Sequence, residues 1–159
     1  MGMVEGETRK EFMRLLRHEA GHCFDHAYSI TKGREWQALF GNPNRKYTPS
    51  LYVVEADSTD FVSNLRHYYA QAHPDEDFAE TFAVWLNPAV DWKKTYRRWP
   101  GAYAKLQFIE GLVEKFGSTP PLVRGGRKLG EAKRLRSQLS RYYRRKQLED
   151  ERLLQGIAS

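Results

Sequence analysis

The sequence predicts a mainly α-helical fold, α+β at most. Apolar residues recur three or four positions apart over several long segments, which is the period of an amphipathic helix. Asp, Ser, Thr and Pro stand where these segments begin, as is typical of helix N-termini. Only one short run, 51–54, is rich in β-prone residues. We therefore expect helices to form the core, with one strand at most.

The predicted elements follow one another with short breaks. In order they are helix 7–28, loop 31–50, strand 51–54, helix 61–72, helix 74–86, a short helical stretch 92–99 and helix 101–116. Several Gly and Pro residues predict the loop. N-cap residue types at 57–60 predict the start of the second helix. Pro74 takes a favoured first-turn position in the third, and the acidic residues after it complement the helix dipole.

A break at 117–121, Gly-Ser-Thr-Pro-Pro, divides the chain into a first domain, 1–121, and an extension, 122–159, predicted as one long basic helix. The net charge is +6, and ten Lys or Arg stand against one acidic residue between 124 and 146. Clustered cations can bind nucleic acid phosphates. The leucines of the segment favour instead a solvated helix that packs through its apolar side.

The chain has one cysteine, so no intramolecular disulfide is possible, which fits a reducing compartment. No run approaches 18 apolar residues, and no secretory leader is evident. We therefore expect a cytoplasmic location and no membrane partner. Cys23 is expected to be a small buried apolar residue, and His67 and His73 are expected on the surface.

The motif His-Glu-Ala-Gly-His at residues 18–22 carries the chemistry. His18 and His22 lie one turn apart on one helix face and can hold one Zn²⁺ together. Glu19, beside them, can accept a proton from a zinc-bound water and pass it to a leaving amine. Gly21 has no side chain, which fits close packing of the helix against a neighbouring element.

A catalytic zinc normally takes a third protein ligand. A metzincin would need histidine at the position of Tyr28, so the sequence excludes the metzincin class. Glu76 and Glu80 lie one turn apart on the same face of the predicted helix 74–86. One carboxylate can bind zinc while the other accepts the free ring N–H of a ligand histidine. The residues alone leave open which glutamate does which.

The segments LLRHEAGHCFDHAY and LRHYYAQAHPDEDFAETFAVWL resemble the catalytic domain of lethal-factor-like gluzincins. They are still more similar to the bacterial zinc-binding metallopeptidases related to them. The resemblance covers about residues 10–117 and implies a zincin-like core with little β-sheet. It further implies Glu76 as the third ligand, Glu80 behind His18, and Tyr69 as the group that stabilises the oxyanion. Tyr68 is the competing candidate for that last role.

Zincin domains usually bind an extended substrate along the edge strand of a sheet that precedes the HExxH helix. In this sequence, either residues 47–55 supply the only strand, or the chain is a piece of a longer protein, or the substrate cleft is unusually open. We predict a zinc-dependent metallopeptidase that hydrolyses peptide bonds in a peptide or protein substrate. The alternatives are a non-catalytic zinc-containing binding protein and a nucleic-acid-binding module that acts through the basic extension.

Overall fold

The computed structural model describes residues 8–47 and 52–122. Its elements are α1 (Arg9–Tyr28), a 3-10 turn (Ile30–Lys32), α2 (Arg34–Phe40), a 3-10 turn (Tyr69–Gln71), α3 (Pro74–Trp85), α4 (Trp92–Thr95) and α5 (Pro100–Phe116). No β-strand occurs within these two ranges, so the prediction of a mainly α fold is confirmed. The long helix predicted for the extension lies outside the described residues. No helix of the described part is long and apolar enough to cross a membrane.

Helix α1 begins at a capping box. The Thr8 hydroxyl accepts a hydrogen bond from the backbone N–H of Glu11, and the Glu11 carboxylate accepts one from the backbone N–H of Thr8. This arrangement satisfies donors that the first helical turn would otherwise leave free. Further along, a Cβ built on Gly21 would lie only 2.9 Å from the Cα of Ala79 in α3. The two helices therefore touch backbone to backbone at Gly21, as its lack of a side chain predicted.

Helix α3 lies at the centre of the described part, with nine of its twelve residues buried. One side packs Phe78 and Phe82 against Trp36 and Phe40 of α2 and Ile109 of α5. A second apolar cluster consists of Val62, Val84, Trp92, Tyr96, Ala102 and Leu106. Each large apolar side chain so buried contributes roughly 1.5–3 kcal/mol. Packing on several sides fixes α3 in rotation and along its axis.

A buried ion pair also fixes α3 against α5. The Lys105 ammonium lies 2.7 Å from the carboxylate of Asp77 and donates a second hydrogen bond, also 2.7 Å long, to the carbonyl of Asp60. Burial raises the pKa of Asp77 to about 7, although Lys105 opposes this rise. A buried charge needs such partners because its desolvation is costly.

Two of the predicted elements between α1 and α3 are wrong. The loop predicted for 31–50 contains α2, and Gly33 and Gly41 stand at its two ends. The helix predicted for 61–72 is reduced to the 3-10 turn at Tyr69–Gln71. The backbones of His67 and Tyr68 have φ angles of 61° and 55°, which an α-helix does not allow.

The predicted strand 51–54 is also wrong for the residues that the structure describes, since Tyr52 to Val54 form no strand. The Tyr52 hydroxyl instead donates to the carbonyl of His67, 2.5 Å away. Cys23 is exposed rather than buried. It shares an exposed side of α1 with Phe12 and Leu16, whose exposed fractions are 53% and 50%.

Candidate metal centre

The two histidines of α1 face the same point. His18 is almost fully buried, and the side chain of His22 is 26% exposed. Their Nε2 atoms lie 3.1 Å apart, as expected for residues one turn apart on one face. Both rings thus present a nitrogen to one small volume that is open to solvent on the His22 side.

Helix α3 brings Glu76 to the same volume. Its Oε2 lies 3.1 Å from Nε2 of His18 and 3.4 Å from Nε2 of His22. This oxygen is buried and has no hydrogen-bond partner. Two nitrogen or oxygen ligands of a tetrahedral Zn²⁺ are about 3.3 Å apart when each lies roughly 2.0–2.1 Å from the metal. The three atoms therefore have the spacing of a zinc ligand set, and an otherwise orphaned oxygen completes it.

Glu80 contacts the far side of His18. Its Oε1 lies 2.8 Å from Nδ1 of His18, so the imidazole donates Nδ1–H to the carboxylate. In the neutral ring, the form that binds a metal, that tautomer leaves a lone pair on Nε2, the atom that faces Glu76. Glu80 also accepts hydrogen bonds from the side chain of Asn64 and from the backbone N–H of Leu65.

The electrostatics of the metal-free site favour a cation. Burial alone would lower the pKa of His18, but Glu76 and Glu80 together raise it to about 9. Burial alone would raise the pKa of Glu76, but His18 and His22 lower it to about 2. The site thus holds a proton on His18 between two carboxylates. A metal ion that binds there must displace that proton.

The predicted catalytic groups are Glu19 and one of two tyrosines. Glu19 follows His18 on α1 and is exposed. The Tyr69 ring lies 5.7 Å from the His18 ring, centroid to centroid, and is half-buried. Tyr68 is 51% exposed. Of the two tyrosines considered, Tyr69 is the one whose ring lies against a histidine of the cluster.

Tyr47, which the sequence did not single out, lies beside Tyr69. Its hydroxyl lies 2.7 Å from the hydroxyl of Tyr69, and its ring contacts the ring of His73. His73 is buried, contrary to the prediction, because its Nδ1 caps α3 and its Nε2 donates to the carbonyl of Arg45. Apart from the cap, which is local, these contacts join residues more than 20 positions apart, so no local pattern could have revealed them.

The comparison with known families agrees with this geometry. A family model described as "Putative zinc-binding metallo-peptidase" matches residues 5–112, a range that includes both α1 and α3. No curated protein and no solved structure was found to match the chain. The match covers more than half of the chain, and the His/Glu cluster fits the metal that the family is described as binding. The chain belongs to this family of zinc-binding metallopeptidases.

Proposed function

We propose that this chain is a gluzincin-type zinc metallopeptidase that hydrolyses peptide bonds in a peptide or protein substrate. His18, His22 and Glu76 would hold the zinc, with Glu80 as the hydrogen-bond partner of His18. The observation that carries the proposal is the convergence of three ligand atoms, Nε2 of His18, Nε2 of His22 and Oε2 of Glu76, at separations of 3.1, 3.1 and 3.4 Å. The exposed Glu19 follows His18 directly in α1.

Glu76 is a better candidate for the third ligand than Glu80. Both oxygens of Glu80 already accept hydrogen bonds from protein donors, and its side chain is 1% exposed. Among the described residues, only the two histidines that would bind the metal lie against Oε2 of Glu76, which no other side chain or backbone N–H contacts. The carboxylate with unused lone pairs is the one suited to a metal.

The remaining groups would serve the hydrolytic step. A bound zinc supplies Lewis acidity toward a carbonyl oxygen and a water molecule. Glu19 accepts the proton that the attacking water loses and delivers it to the leaving amine. Tyr69 donates its hydroxyl proton as a hydrogen bond to the oxygen that becomes negative in the tetrahedral intermediate. The hydroxyl of Tyr47 lies within hydrogen-bond distance of Tyr69 and would orient it.

Metal content tests the ligand assignment. Purified wild type is expected to retain one equivalent of zinc through exchange into metal-free buffer. Glu76→Ala is expected to lose it, because one of three protein ligands is removed. Glu80→Ala is expected to bind zinc about 10- to 100-fold more weakly, as is typical when a histidine loses its outer partner. If Glu80→Ala abolished binding while Glu76→Ala kept full affinity, the two assignments would have to be exchanged.

Cleavage of a peptide library tests catalysis. Wild type is expected to cleave a subset of peptides, and a chelator should stop it. Glu19→Gln is expected to retain zinc and lose nearly all cleavage, because the amide cannot accept the proton. Equal cleavage by wild type and Glu19→Gln, at equal zinc content, would rule out the proposed mechanism.

A non-catalytic zinc-containing binding protein is the second candidate. One observation favours it: residues 8–47 and 52–122 contain no β-strand along which an extended substrate could align. Such a protein would bind one zinc, cleave no peptide pool and tolerate Glu19→Gln. A partner would then supply the substrate-binding strand.

The division into a domain at 1–121 and an extension at 122–159 remains part of this proposal. A nucleic-acid-binding module that acts through the basic extension remains an alternative to it. If the basic segment 124–146 binds phosphates, affinity for unrelated DNA should fall steeply with salt and vanish when 124–159 are deleted. If the affinity for DNA did not change with salt concentration, nucleic acid would be excluded as a partner.

A further inference from the structure

Asn64 holds the carboxylate that contacts His18. Its side-chain Nδ2 donates to Oε1 of Glu80 at 2.9 Å, and the backbone N–H of Leu65 donates to Oε2 at 2.7 Å. Asn64 is only 8% exposed, and Glu80 is fully buried. With the ring N–H of His18, the carboxylate thus receives three hydrogen bonds.

These donors determine what Glu80 can do. A buried carboxylate is costly unless donors compensate for its lost hydration. Three donors offset that cost, and an ionised carboxylate can only accept hydrogen bonds. Nδ1 of His18 must then carry a proton, so in the neutral, metal-binding ring Nε2 presents its lone pair toward Glu76.

The chain anchors the loop 61–68 on both sides of Asn64. Before it, Val62 is buried, and the backbone N–H of Ser63 donates to the hydroxyl of Tyr96, 3.1 Å away. After it, Arg66 forms an ion pair with Glu11 at the start of α1. These contacts fix the loop to both α1 and the second apolar cluster, so the amide of Asn64 has little freedom to leave Glu80.

We propose that Asn64 is a positioning residue of the metal centre, which orients Glu80 so that Glu80 fixes the tautomer and ring of His18 for zinc. The inference rests on the proposed metal site but not on peptide hydrolysis. Asn64 touches neither the ligand atoms nor a substrate. It acts through Glu80.

Two substitutions separate a donor role from a steric one, with zinc alone as the probe and a chromophoric chelator as the competitor. Asn64→Asp keeps the shape and places a carboxylate oxygen against Glu80, while Asn64→Leu keeps the approximate volume without a donor. Both are expected to weaken zinc binding about 10-fold or more, as loss of an outer-sphere partner does. Ser63→Ala is the matched control because it leaves the backbone bond to Tyr96 in place, and its affinity should equal that of wild type.

The Nδ1–H proton resonance of His18 in the zinc-loaded protein is the second measurement. It is expected to move in Asn64→Asp and Asn64→Leu and to stay in place in Ser63→Ala. Wild-type affinity and an unmoved resonance in a folded Asn64→Asp would overturn the inference, since a steric role alone predicts that result.

A third measurement needs no variant. In wild type, the side-chain amide resonances of Asn64 are expected to shift on zinc addition, because Glu80 links them to His18. If the Asn64 side-chain amide resonances did not shift on zinc addition, the inference would be overturned even if both variants failed to fold. A chain that binds zinc and shows these shifts but cleaves no peptide would refute the proposed peptidase and leave the role of Asn64 standing.

Discussion

Gly21→Ala tests whether the backbone contact between α1 and α3 sets the geometry of the metal centre. The new Cβ would lie 2.9 Å from the Cα of Ala79, 3.2 Å from its carbonyl oxygen and 3.1 Å from Cβ of Phe82. Ordinary contacts begin near 3.4 Å, so the helices must separate by about half an ångström. None of the three atoms is the end of a flexible side chain, so backbone has to move.

The magnitude follows from two opposing effects. Overpacking of a tight contact costs roughly 1–3 kcal/mol, while Ala favours a helix over Gly by about 1 kcal/mol. We expect a net destabilisation of up to about 2 kcal/mol in the free energy of unfolding. The effect on zinc should be larger, because His22 follows Gly21 directly and zinc ligand distances tolerate only about ±0.2 Å. We expect zinc affinity to fall about 10-fold or more, the size seen when outer groups of a metal site are displaced.

Urea unfolding of the metal-free protein and competition with a chelator measure the two effects. Gly111→Ala is the matched control, since a Cβ on Gly111 in α5 meets nothing within 4 Å. It should stabilise the chain by roughly 0.5–1 kcal/mol and leave zinc affinity unchanged. If Gly21→Ala stabilised the protein as much as Gly111→Ala and kept full zinc affinity, the close-contact argument would be refuted.

Three further predictions concern the ion pair, the metal-free site and the oxyanion. In urea unfolding well above pH 7, where Asp77 is ionised, Lys105→Met should destabilise the fold by about 3–5 kcal/mol, because it leaves a buried carboxylate unpaired. Lys93→Met removes an exposed pair and should barely move the unfolding midpoint, so equal effects of the two variants would contradict the argument. In the metal-free protein, His18 has a folded pKa raised from 6.5 to about 9, so its stabilising contribution is full below pH 6.5 and is lost as the pH rises through 9. Stability of the metal-free chain that increased over that window would contradict this assignment. Tyr69→Phe should lower kcat about 100-fold with little change in KM, and an unchanged kcat would exclude Tyr69 as the oxyanion donor.

The helices that carry the site could be predicted because local signals determine them. Helix α1 has its capping box at Thr8 and Glu11, and α3 has Pro74 in its first turn, so the predicted and observed ranges agree closely. Apolar residues at helical spacing also marked α5 to within one residue of its start. In α1 and α3, capping chemistry and periodicity favour the same structure.

The segment between α2 and α3 could not be predicted because distant contacts override its local pattern. N-cap residue types and spaced apolar residues favour a helix at 61–72, yet the backbone N–H of Leu65 is directed to Glu80. A helix there would turn this N–H inward to its own fourth preceding carbonyl. The left-handed residues His67 and Tyr68 then reverse the chain. The helical preference of 61–72 is therefore overridden where Asn64 and Leu65 donate hydrogen bonds to Glu80.

Three of the carboxylates of α3 lie within residues 76–80, and the neighbours of each give it a different character. Asp77 projects about 100° away from Glu76 around the helix, because successive residues are rotated by that angle, and its charge is met by Lys105. Glu80 lies one turn below Glu76 on the same side and is saturated by three N–H donors, one of them from His18. Among the described residues, Glu76 has no donor other than the two histidines on the oxygen that faces them. All three side chains are carboxylates, but they differ in the number of N–H donors that contact them. Of these three, Glu76 is the least satisfied and gains most from a cation. Oδ1 of Asp75 also lacks a partner, but only Glu76 lies next to both histidine nitrogens, which is the physical basis for choosing it as the proposed ligand.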